Sequence, residues 1–343
     1  MTHMLKTPFQ QLPTENPSAF QNALIDWFKE EGRTYPWRET TEPYPILVSE
    51  IMLQQTQIAT VLQRGYYDRW LTRFPDLESL AAAPENELLS TWEGLGYYNR
   101  ARNLQKLAKC LIADHGGKFP TTAEALRQLP GIGPYTAGAV ASFAYNESAA
   151  LVDGNVARVF ARLFDYSEPI NKPPGNRQLW QWAEELVSPD DARSYNSALM
   201  ELGQRICRKG QPDCLKCPVA RFCSTPDPGT LPIKEGKTKL TEISESAIWN
   251  LKDGRVLLHH EQGKRRKGLW KLPLRPHDEV EKSKLVYQGK YGITRYKVTL
   301  QVFEANSEPQ ADDHWIELSE LPELPMATPF RRAMDELLKT HPS

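Results

Sequence analysis

Four cysteines that lie close together in the chain predict chemistry most directly from their type and spacing. Cys207 is followed by Cys214, Cys217 and Cys223, with six, two and five residues in the three intervals. Four thiolates so near in sequence can surround one tetrahedral metal ion or a cuboidal metal–sulfur cluster. Zinc is the generic ion for a four-cysteine site. The fifth cysteine, Cys110, stands alone. In an intracellular chain, the clustering of the other four favours a metal site over disulfides.

A second candidate site is the turn in residues 129–138, where Gly131 and Gly133 flank one apolar residue and Pro134 opens a helix. Glycines leave the backbone of such a turn bare, so its N–H groups can face an anion at the N-terminus of the helix. We expect that anion to be a nucleic-acid phosphate. Asp153 begins the next helical run, where its carboxylate could be held beside the bound backbone. The alternative is an ordinary loop with a helix cap.

Glu50 is a third candidate, on a helix that the sequence predicts from about Pro45. One stripe of this helix, at helical spacing, contains Val48, Ile51, Met52, Gln55, Ile58, Ala59 and Leu62. At about 100° per residue, Glu50 falls on the opposite face. A glutamate on the polar face of a helix is usually only solvated, so Glu50 alone predicts little.

Longer phrases around these residues carry a family resemblance that covers about residues 20–225. Leu-Pro-Gly-Ile-Gly at 129–133 and Val-Asp-Gly-Asn-Val at 152–156 resemble the helix-hairpin-helix DNA glycosylases. Ser-Glu-Ile-Met-Leu-Gln-Gln-Thr at 49–56 resembles the MutY family of adenine DNA glycosylases. The resemblance implies an enzyme of base excision repair that removes adenine mispaired with 8-oxoguanine or guanine in double-stranded DNA.

In that family the glycine hairpin grips DNA, the glutamate is the general acid and the aspartate is catalytic. The resemblance therefore assigns catalysis to Glu50 and Asp153, the carboxylate pair that cleavage of a glycosidic bond requires. One carboxyl must be protonated near neutral pH to help the base leave. The other must stay ionised to stabilise an oxocarbenium-like sugar, and different environments can separate the two pKa values.

Tyr135 distinguishes this chain from bifunctional relatives such as endonuclease III, which carry a lysine just after the hairpin. A phenol cannot form the Schiff base that leads to strand cleavage, so the resemblance implies a monofunctional enzyme. By the same resemblance, Tyr135 hydrogen-bonds near Asp153, and Asn155 helps to hold that aspartate. Two alternatives are a broader endonuclease III-like glycosylase/lyase and a non-catalytic iron–sulfur DNA-binding protein. Tyr135 argues against the first, and the carboxylate pair argues against the second.

The resemblance also assigns residues to DNA and base binding. Extrusion of a base leaves a gap in the duplex that an inserted side chain must fill. This wedge is assigned to Gln55, Thr56, Leu95, Gly96 and Tyr97. Trp37 and Arg38, with Arg33 nearby, would border the adenine pocket, since an aromatic ring and a guanidinium suit a purine.

The cysteine spacing looks like the [4Fe–4S] loop of the MutY and endonuclease III group, which favours a cluster over zinc at Cys207, Cys214, Cys217 and Cys223. Basic residues surround these cysteines and predict a local patch for phosphates. They are Arg205, Arg208, Lys209, Lys216 and Arg221.

The composition limits the class of protein. The chain has 343 residues, 40% of them hydrophobic, and a formal net charge of −1. These values predict about two domains and no global basicity, so DNA contacts must use local patches. The sequence has neither a long apolar run nor an apolar leader, so we expect a cytoplasmic protein without a membrane partner. With the resemblance to the DNA glycosylases, we further expect a monomer that acts on DNA of the bacterial nucleoid.

The hydrophobic pattern changes along the chain and predicts two domains of different class. Residues 1–225 form the predicted all-α helix-hairpin-helix domain, 226–242 a linker, and 243–343 a small α+β domain. Strands are expected at 246–250, 256–259, 284–287, 296–303 and 314–318, with a closing helix at 328–339.

The C-terminal region resembles the MutY C-terminal domain, which is related to Nudix hydrolases, through Gly-Leu-Trp-Lys-Leu-Pro at 268–273. It lacks the Glu-rich metal helix of a Nudix enzyme, so we expect no hydrolase activity from it. In MutY, a loop with Phe-Ser-His recognises 8-oxoguanine. Here Tyr296 and Lys297 stand where the serine and histidine belong. This departure predicts weakened discrimination between 8-oxoguanine and guanine.

Overall fold

The computed structural model describes residues 16–236, 240–263 and 266–340. Their Cα atoms group into two compact units. The first unit combines residues of Met1–Gln54 with Cys110–Gly236, and the second combines Gln55–Lys109 with residues of Lys237–Ser343. Because the second unit includes part of the helical region, the units do not coincide with the domain boundaries expected from the sequence, which stay a prediction.

Helices dominate the described chain up to residue 236, as the sequence predicts, and no strand occurs in residues 16–236. The helices are α1 (Pro17–Glu31), α2 (Pro43–Met52), α3 (Ile58–Gln63), α4 (Tyr66–Arg73), α5 (Leu77–Ala82), α6 (Glu85–Thr91), α7 (Asn99–His115), α8 (Ala123–Leu126), α9 (Pro134–Tyr145), α10 (Gly154–Leu163), α11 (Pro173–Leu186) and α12 (Ala192–Arg205). Short 3-10 turns lie at Pro36–Arg38, Cys214–Lys216 and Ala220–Phe222.

The single helix expected across residues 45–62 is wrong, because α2 ends at Met52 and α3 begins at Ile58. Gln55 between them has a φ of 60°, in the left-handed region that interrupts a right-handed helix. The expectation of a polar face around Glu50 is also wrong. Every residue from Ile46 to Met52 is buried, so α2 is enclosed on all sides along this stretch and has no polar face there.

The C-terminal region is α+β, as predicted. Its strands are β1 (Thr241–Trp249), β2 (Leu251–Lys252), β3 (Arg255–His260), β4 (Trp270–Lys271), β5 (Lys284–Ile293), β6 (Tyr296–Glu304) and β7 (Asp313–Glu317), with helices α13 (His277–Val280) and α14 (Thr328–Thr340). One sheet has the order β1-β6-β5, in which β1 is parallel and β5 antiparallel to β6. In the other sheet, β3 pairs antiparallel with β2, β4 and β7.

Each unit has its own apolar core. In the first unit, α1, α10, α11 and α12 pack through Phe20, Leu24, Phe160, Trp182 and Leu199, which are at most 1% exposed. This packing positions the N-termini of α9 and α10, where the turn residues and Asp153 lie. Among residues 16–236, 240–263 and 266–340, no helix has the length and apolar character required to cross a membrane.

Candidate active site

Glu50 is buried on α2 and is 4% exposed. Its Oε2 accepts a hydrogen bond of 2.7 Å from the hydroxyl of Tyr135 on α9. Burial raises the pKa of Glu50 from 4.5 to about 7, with the Tyr135 bond acting in the opposite direction and the nearby Asp153 adding to the rise. A carboxyl with this pKa is half protonated near neutrality, which suits a general acid.

Asp153 is the N-cap residue of α10 and lies in a cradle of donors. Its Oδ1 accepts from the backbone N–H of Asn155 at 2.8 Å and of Val156 at 2.7 Å, and its Oδ2 accepts from Asn155 Nδ2 at 2.8 Å. Burial raises the pKa of Asp153, while these three bonds favour its ionised form. Because Glu50 receives one hydrogen bond and Asp153 three, Asp153 is the better stabilised carboxylate of the pair.

The Tyr135 hydroxyl donates its hydrogen bond to Glu50. The sequence predicts a hydrogen bond of Tyr135 near Asp153, and the Asp153 charge acts on both partners of the observed bond. Burial and the charges of Glu50 and Asp153 raise the pKa of the Tyr135 phenol well above 10, so it stays a neutral donor. The expected support of Asp153 by Asn155 is present in the structure.

Arg158 on α10 is a supporting residue that the sequence analysis missed. Its Nη2 donates to Asn155 Oδ1 at 2.9 Å and to the Gly203 carbonyl at 2.6 Å, while its Nε donates to the Cys207 carbonyl at 2.8 Å. The guanidinium thus orients the Asn155 amide so that its NH₂ group faces Asp153. Asn155 and Arg158 are three residues apart and therefore lie on one face of α10. This spacing is the only feature of the sequence that indicates their contact.

Glu201 on α12 is a second missed residue, and it holds the side chain of Arg38. Glu201 is 1% exposed and accepts from the Arg38 guanidinium and from the backbone N–H of Arg33 at 3.0 Å. Arg38 also lies over the Tyr35 ring at 4.8 Å, and that ring stacks on Trp37 at 5.3 Å. Trp37 and Arg38 therefore pack together around Tyr35, whereas Arg33 is held through its backbone and is itself exposed. The positive charge of Arg38 opposes part of the rise in the pKa of Glu50.

The glycine turn before α9 is exposed to solvent. Gly131 has a φ of 78°, where a side chain would be strained. Gly133 caps α9, and a Cβ atom added there would meet nothing within 4 Å. The protein itself therefore does not require glycine at position 133, and the bare backbone leaves room for a close ligand.

The predicted wedge residues lie in two loops of the second unit. Gln55 and Tyr97 have φ values of 60° and 47°, a left-handed conformation that non-glycine residues rarely adopt and that often marks functional loops. Tyr97 is 53% exposed, whereas Leu95 is buried. In this conformation Tyr97 projects from its loop and Leu95 packs inward.

The four cysteines follow α12 in a loop that Arg162 supports. Arg162 donates to the Arg208 carbonyl at 2.8 Å and contacts Cys207 Sγ at 3.4 Å. Burial raises the pKa of Cys217 to about 11, and the other three cysteines are near enough to add to this rise. Among the described residues, no three His, Cys, Asp or Glu side chains converge in the manner expected for a single metal ion.

Comparison with known proteins identifies the helical region. Residues 48–185 match the model of the HhH-GPD superfamily of base excision DNA repair proteins. The chain is 43% identical over 215 residues to a human adenine DNA glycosylase, covering 60% of this chain and 39% of the human protein. It is 40% identical over 207 residues to the adenine DNA glycosylase of Buchnera aphidicola, covering 60% of this chain and 58% of that protein. The chain thus spans about two fifths to three fifths of the length of these curated relatives.

Solved structures give the same result for the fold. A thermostable thymine-DNA glycosylase is 32% identical, with a TM-score of 0.54, and the match covers 61% of this chain and 95% of that structure. An endonuclease III–DNA complex shares the fold at 24% identity and a TM-score of 0.51, with 61% and 96% of the two chains covered. The predicted helix-hairpin-helix fold is therefore confirmed, and the chain belongs to the HhH-GPD superfamily of base excision DNA repair proteins.

Proposed function

We propose that this protein is a monofunctional adenine DNA glycosylase that acts on double-stranded DNA with a mispaired adenine. The single observation that carries the proposal is the buried Glu50 carboxyl, with a pKa of about 7, beside the three-donor cradle of Asp153. A DNA-binding protein without catalysis has no use for a protonatable buried carboxyl next to a stabilised carboxylate. The adenine-specific relatives support the choice of base.

The proposed mechanism follows from these two environments. Glu50 gives its proton to a ring nitrogen of the extruded adenine, and the N-glycosidic bond breaks with its electron pair moving to the base. The Asp153 carboxylate stabilises the positive sugar that results. The oxygen of a water molecule bonds to the sugar carbon, and its proton returns to the Glu50 carboxylate. The products are free adenine and an abasic site.

The function is tested with duplexes that carry adenine opposite each normal base and opposite 8-oxoguanine. We expect release of free adenine from mispaired duplexes and strand breaks only after alkali or heat, because Tyr135 has no amine for a Schiff base. Borohydride should trap no covalent adduct. Efficient trapping would instead favour a glycosylase/lyase, and DNA binding without adenine release would favour a non-catalytic protein. We propose that the adenine glycosylase acts on DNA of the nucleoid as a monomer.

We also propose that Cys207, Cys214, Cys217 and Cys223 hold a [4Fe–4S] cluster. The donor set fits this group, since four thiolates supply one for each iron and Cys217 lies near the other three thiols. When bound, the cluster would cross-link the loop and offset the mutual repulsion of the thiolates. The exposed basic residues beside it, among them Arg208 and Lys209, would then contact DNA phosphates.

Purified protein prepared without air should contain about four irons and four sulfides per chain. Cys217→Ser should remove most of the iron, because Cys217 neighbours the other three cysteines. Cys110→Ser serves as the matched control and should leave the iron content unchanged, since Cys110 lies on α7 far from the loop in sequence. Stoichiometric zinc without iron would contradict the assignment.

For the C-terminal region we propose a Nudix-like fold without hydrolase activity that contacts the strand opposite the adenine. The combination of a mixed sheet, a second antiparallel sheet and two helices supports this proposal. The stretch expected to meet the opposite base forms the hairpin between β5 and β6, in which Ile293 pairs with Tyr296. Lys297 lies 3.5 Å from Glu242 in an exposed ion pair.

We expect this protein to prefer adenine opposite 8-oxoguanine over adenine opposite guanine less strongly than an enzyme with Phe-Ser-His in this loop. Lysine has only donors and cannot accept a hydrogen bond from the N–H group that oxidation adds to guanine. Loss of one or two hydrogen bonds at about 1–1.5 kcal/mol each corresponds to roughly ten- to a hundredfold lower preference. Competition between the two duplexes, measured beside a Phe-Ser-His enzyme, checks this. Equal preference in both proteins would contradict it.

A further inference from the structure

The loop of residues 94–97, which carries the exposed Tyr97, is bound at both of its flanks by the C-terminal part of the second unit. Before the loop, the Glu93 carboxylate accepts from the Met326 backbone N–H at 2.9 Å and from Arg331 Nε at 2.7 Å. After the loop, the Tyr98 hydroxyl donates to the Met326 carbonyl at 3.0 Å. We refer to Glu93, Tyr98, Met326 and Arg331 as the loop clamp.

The loop clamp is a partly buried arrangement and is rigidly supported. The side chains of Glu93 and Arg331 are 18% and 19% exposed. Solvent therefore screens this ion pair less than it screens a fully exposed surface pair. Arg331 also donates to the carbonyls of Leu321 at 3.0 Å and Leu324 at 2.7 Å, so its guanidinium has little freedom to move. Leu89, just before the loop, belongs to the same apolar core as α14.

Two side chains that flank the loop hold its backbone directly, each within two residues of a member of the loop clamp. The Trp92 indole donates to the Gly96 carbonyl at 2.9 Å, and Arg100 Nη2 donates to the Leu95 carbonyl at 2.9 Å. Gly94 has a φ of 97°, and a Cβ atom there would lie 2.1 Å from the Tyr66 hydroxyl oxygen. The backbone is therefore held tightly while Tyr97, in a left-handed conformation, remains exposed. Strain of this kind persists only where the surroundings enforce it.

We propose that the loop clamp makes Glu93, Tyr98 and Arg331 positioning residues for the step in which the 94–97 loop enters the duplex. The C-terminal α+β region then has a second role beside contact with the opposite base, because it fixes the loop that supports extrusion of the adenine. This inference rests on the proposed glycosylase function. It predicts that weakening of the clamp slows extrusion and leaves bond cleavage at Glu50 and Asp153 unchanged.

The test uses the full chain with Glu93→Gln, Arg331→Met, their combination, and Tyr98→Phe, which removes one hydroxyl only. Arg73→Gln is the matched control, because it breaks the exposed Arg73–Glu87 pair in the same segment. Single-turnover excision is measured for adenine in a mispair and for adenine in single-stranded DNA, which needs no extrusion from a duplex. Hydrogen exchange of the amides of residues 94–97 reports the order of the loop.

We expect each clamp variant to excise mispaired adenine about tenfold more slowly, with a rate on single-stranded DNA within twofold of wild type. The double variant should be little worse than Arg331→Met alone, since loss of Arg331 already removes the ion pair that Glu93→Gln weakens. Exchange in the loop should rise, while Arg73→Gln changes neither measurement. Equal losses on both substrates, or unchanged excision with faster exchange, would overturn the inference. Wild-type protein without adenine excision would instead overturn the proposed function.

Discussion

Glu50→Gln is expected to lower the single-turnover rate of adenine release by roughly 10²–10⁴-fold, the range for loss of a general acid. Glutamine keeps the shape of the side chain, and its oxygen can still accept the hydrogen bond from Tyr135. It has no proton to give to the base. Binding to a mispaired duplex should remain close to wild type, because Glu50 is buried and contributes no surface charge.

The same variant should be more stable than wild type at high pH. The pKa of Glu50 is raised from 4.5 to about 7, so the folded state disfavours its charged form. The stabilising contribution of the protonated group is present below pH 4.5 and is lost as the pH rises through about 7. Because glutamine cannot ionise, Glu50→Gln should raise the free energy of unfolding at pH 8 by up to about 3 kcal/mol and by much less at pH 5.

Chemical denaturation at pH 5 and pH 8 measures this difference, with Glu30→Gln as the control because Glu30 is exposed on α1. The control should show no gain of stability at pH 8. Near-wild-type excision by Glu50→Gln, or equal effects of Glu50→Gln on stability at the two pH values, would contradict the assigned role.

Asp153→Asn is the second substitution with a large expected effect, and it should lower excision by about 10²-fold or more. Asparagine is as good an N-cap as aspartate, so α10 should still form. Its NH₂ group would replace Oδ2 and face the NH₂ group of Asn155. A flip of the Asn155 amide would remove that clash only at the cost of the bond from Arg158. The variant thus loses the charge and one ordered contact.

Single-turnover excision and thermal unfolding together check this prediction. Asp165→Asn is the matched control, since Asp165 is an exposed residue just after the same helix and asparagine tolerates its left-handed backbone. The control should keep wild-type activity. Full activity of Asp153→Asn would exclude Asp153 as the group that stabilises the sugar cation, and unfolding of the variant would be evident in the melting curve.

The site could be predicted from the sequence where its contacts are local. Asp153 accepts hydrogen bonds from Asn155 and Val156, two and three residues away. A short sequence motif is therefore enough to predict this helix cap. The helices and most of the strands follow hydrophobic periodicity, and β1, β3, β5, β6, β7 and α14 lie near their expected positions. The two-residue strands β2 and β4 are too short to give a periodic signal.

Long-range contacts could not be predicted in the same way. Glu50 and Tyr135 are 85 residues apart, and Arg33 and Glu201 are 168 apart. Burial of Glu50 depends on packing around every side of α2, whereas periodicity reveals only one stripe. The break between α2 and α3 contains Gln55 in a left-handed conformation. A glutamine does not indicate such a conformation in the way that a glycine does.

The central claim is that Glu50 acts as the buried acid, and the pH dependence of single-turnover adenine release tests it most directly. Wild-type excision should fall about tenfold per pH unit above about 7, because the protonated fraction of Glu50 falls in this way. The small residual rate of Glu50→Gln should lack this decline. A wild-type rate that stays flat from pH 7 to pH 9, or a Glu50→Gln rate with the same decline, would contradict the claim.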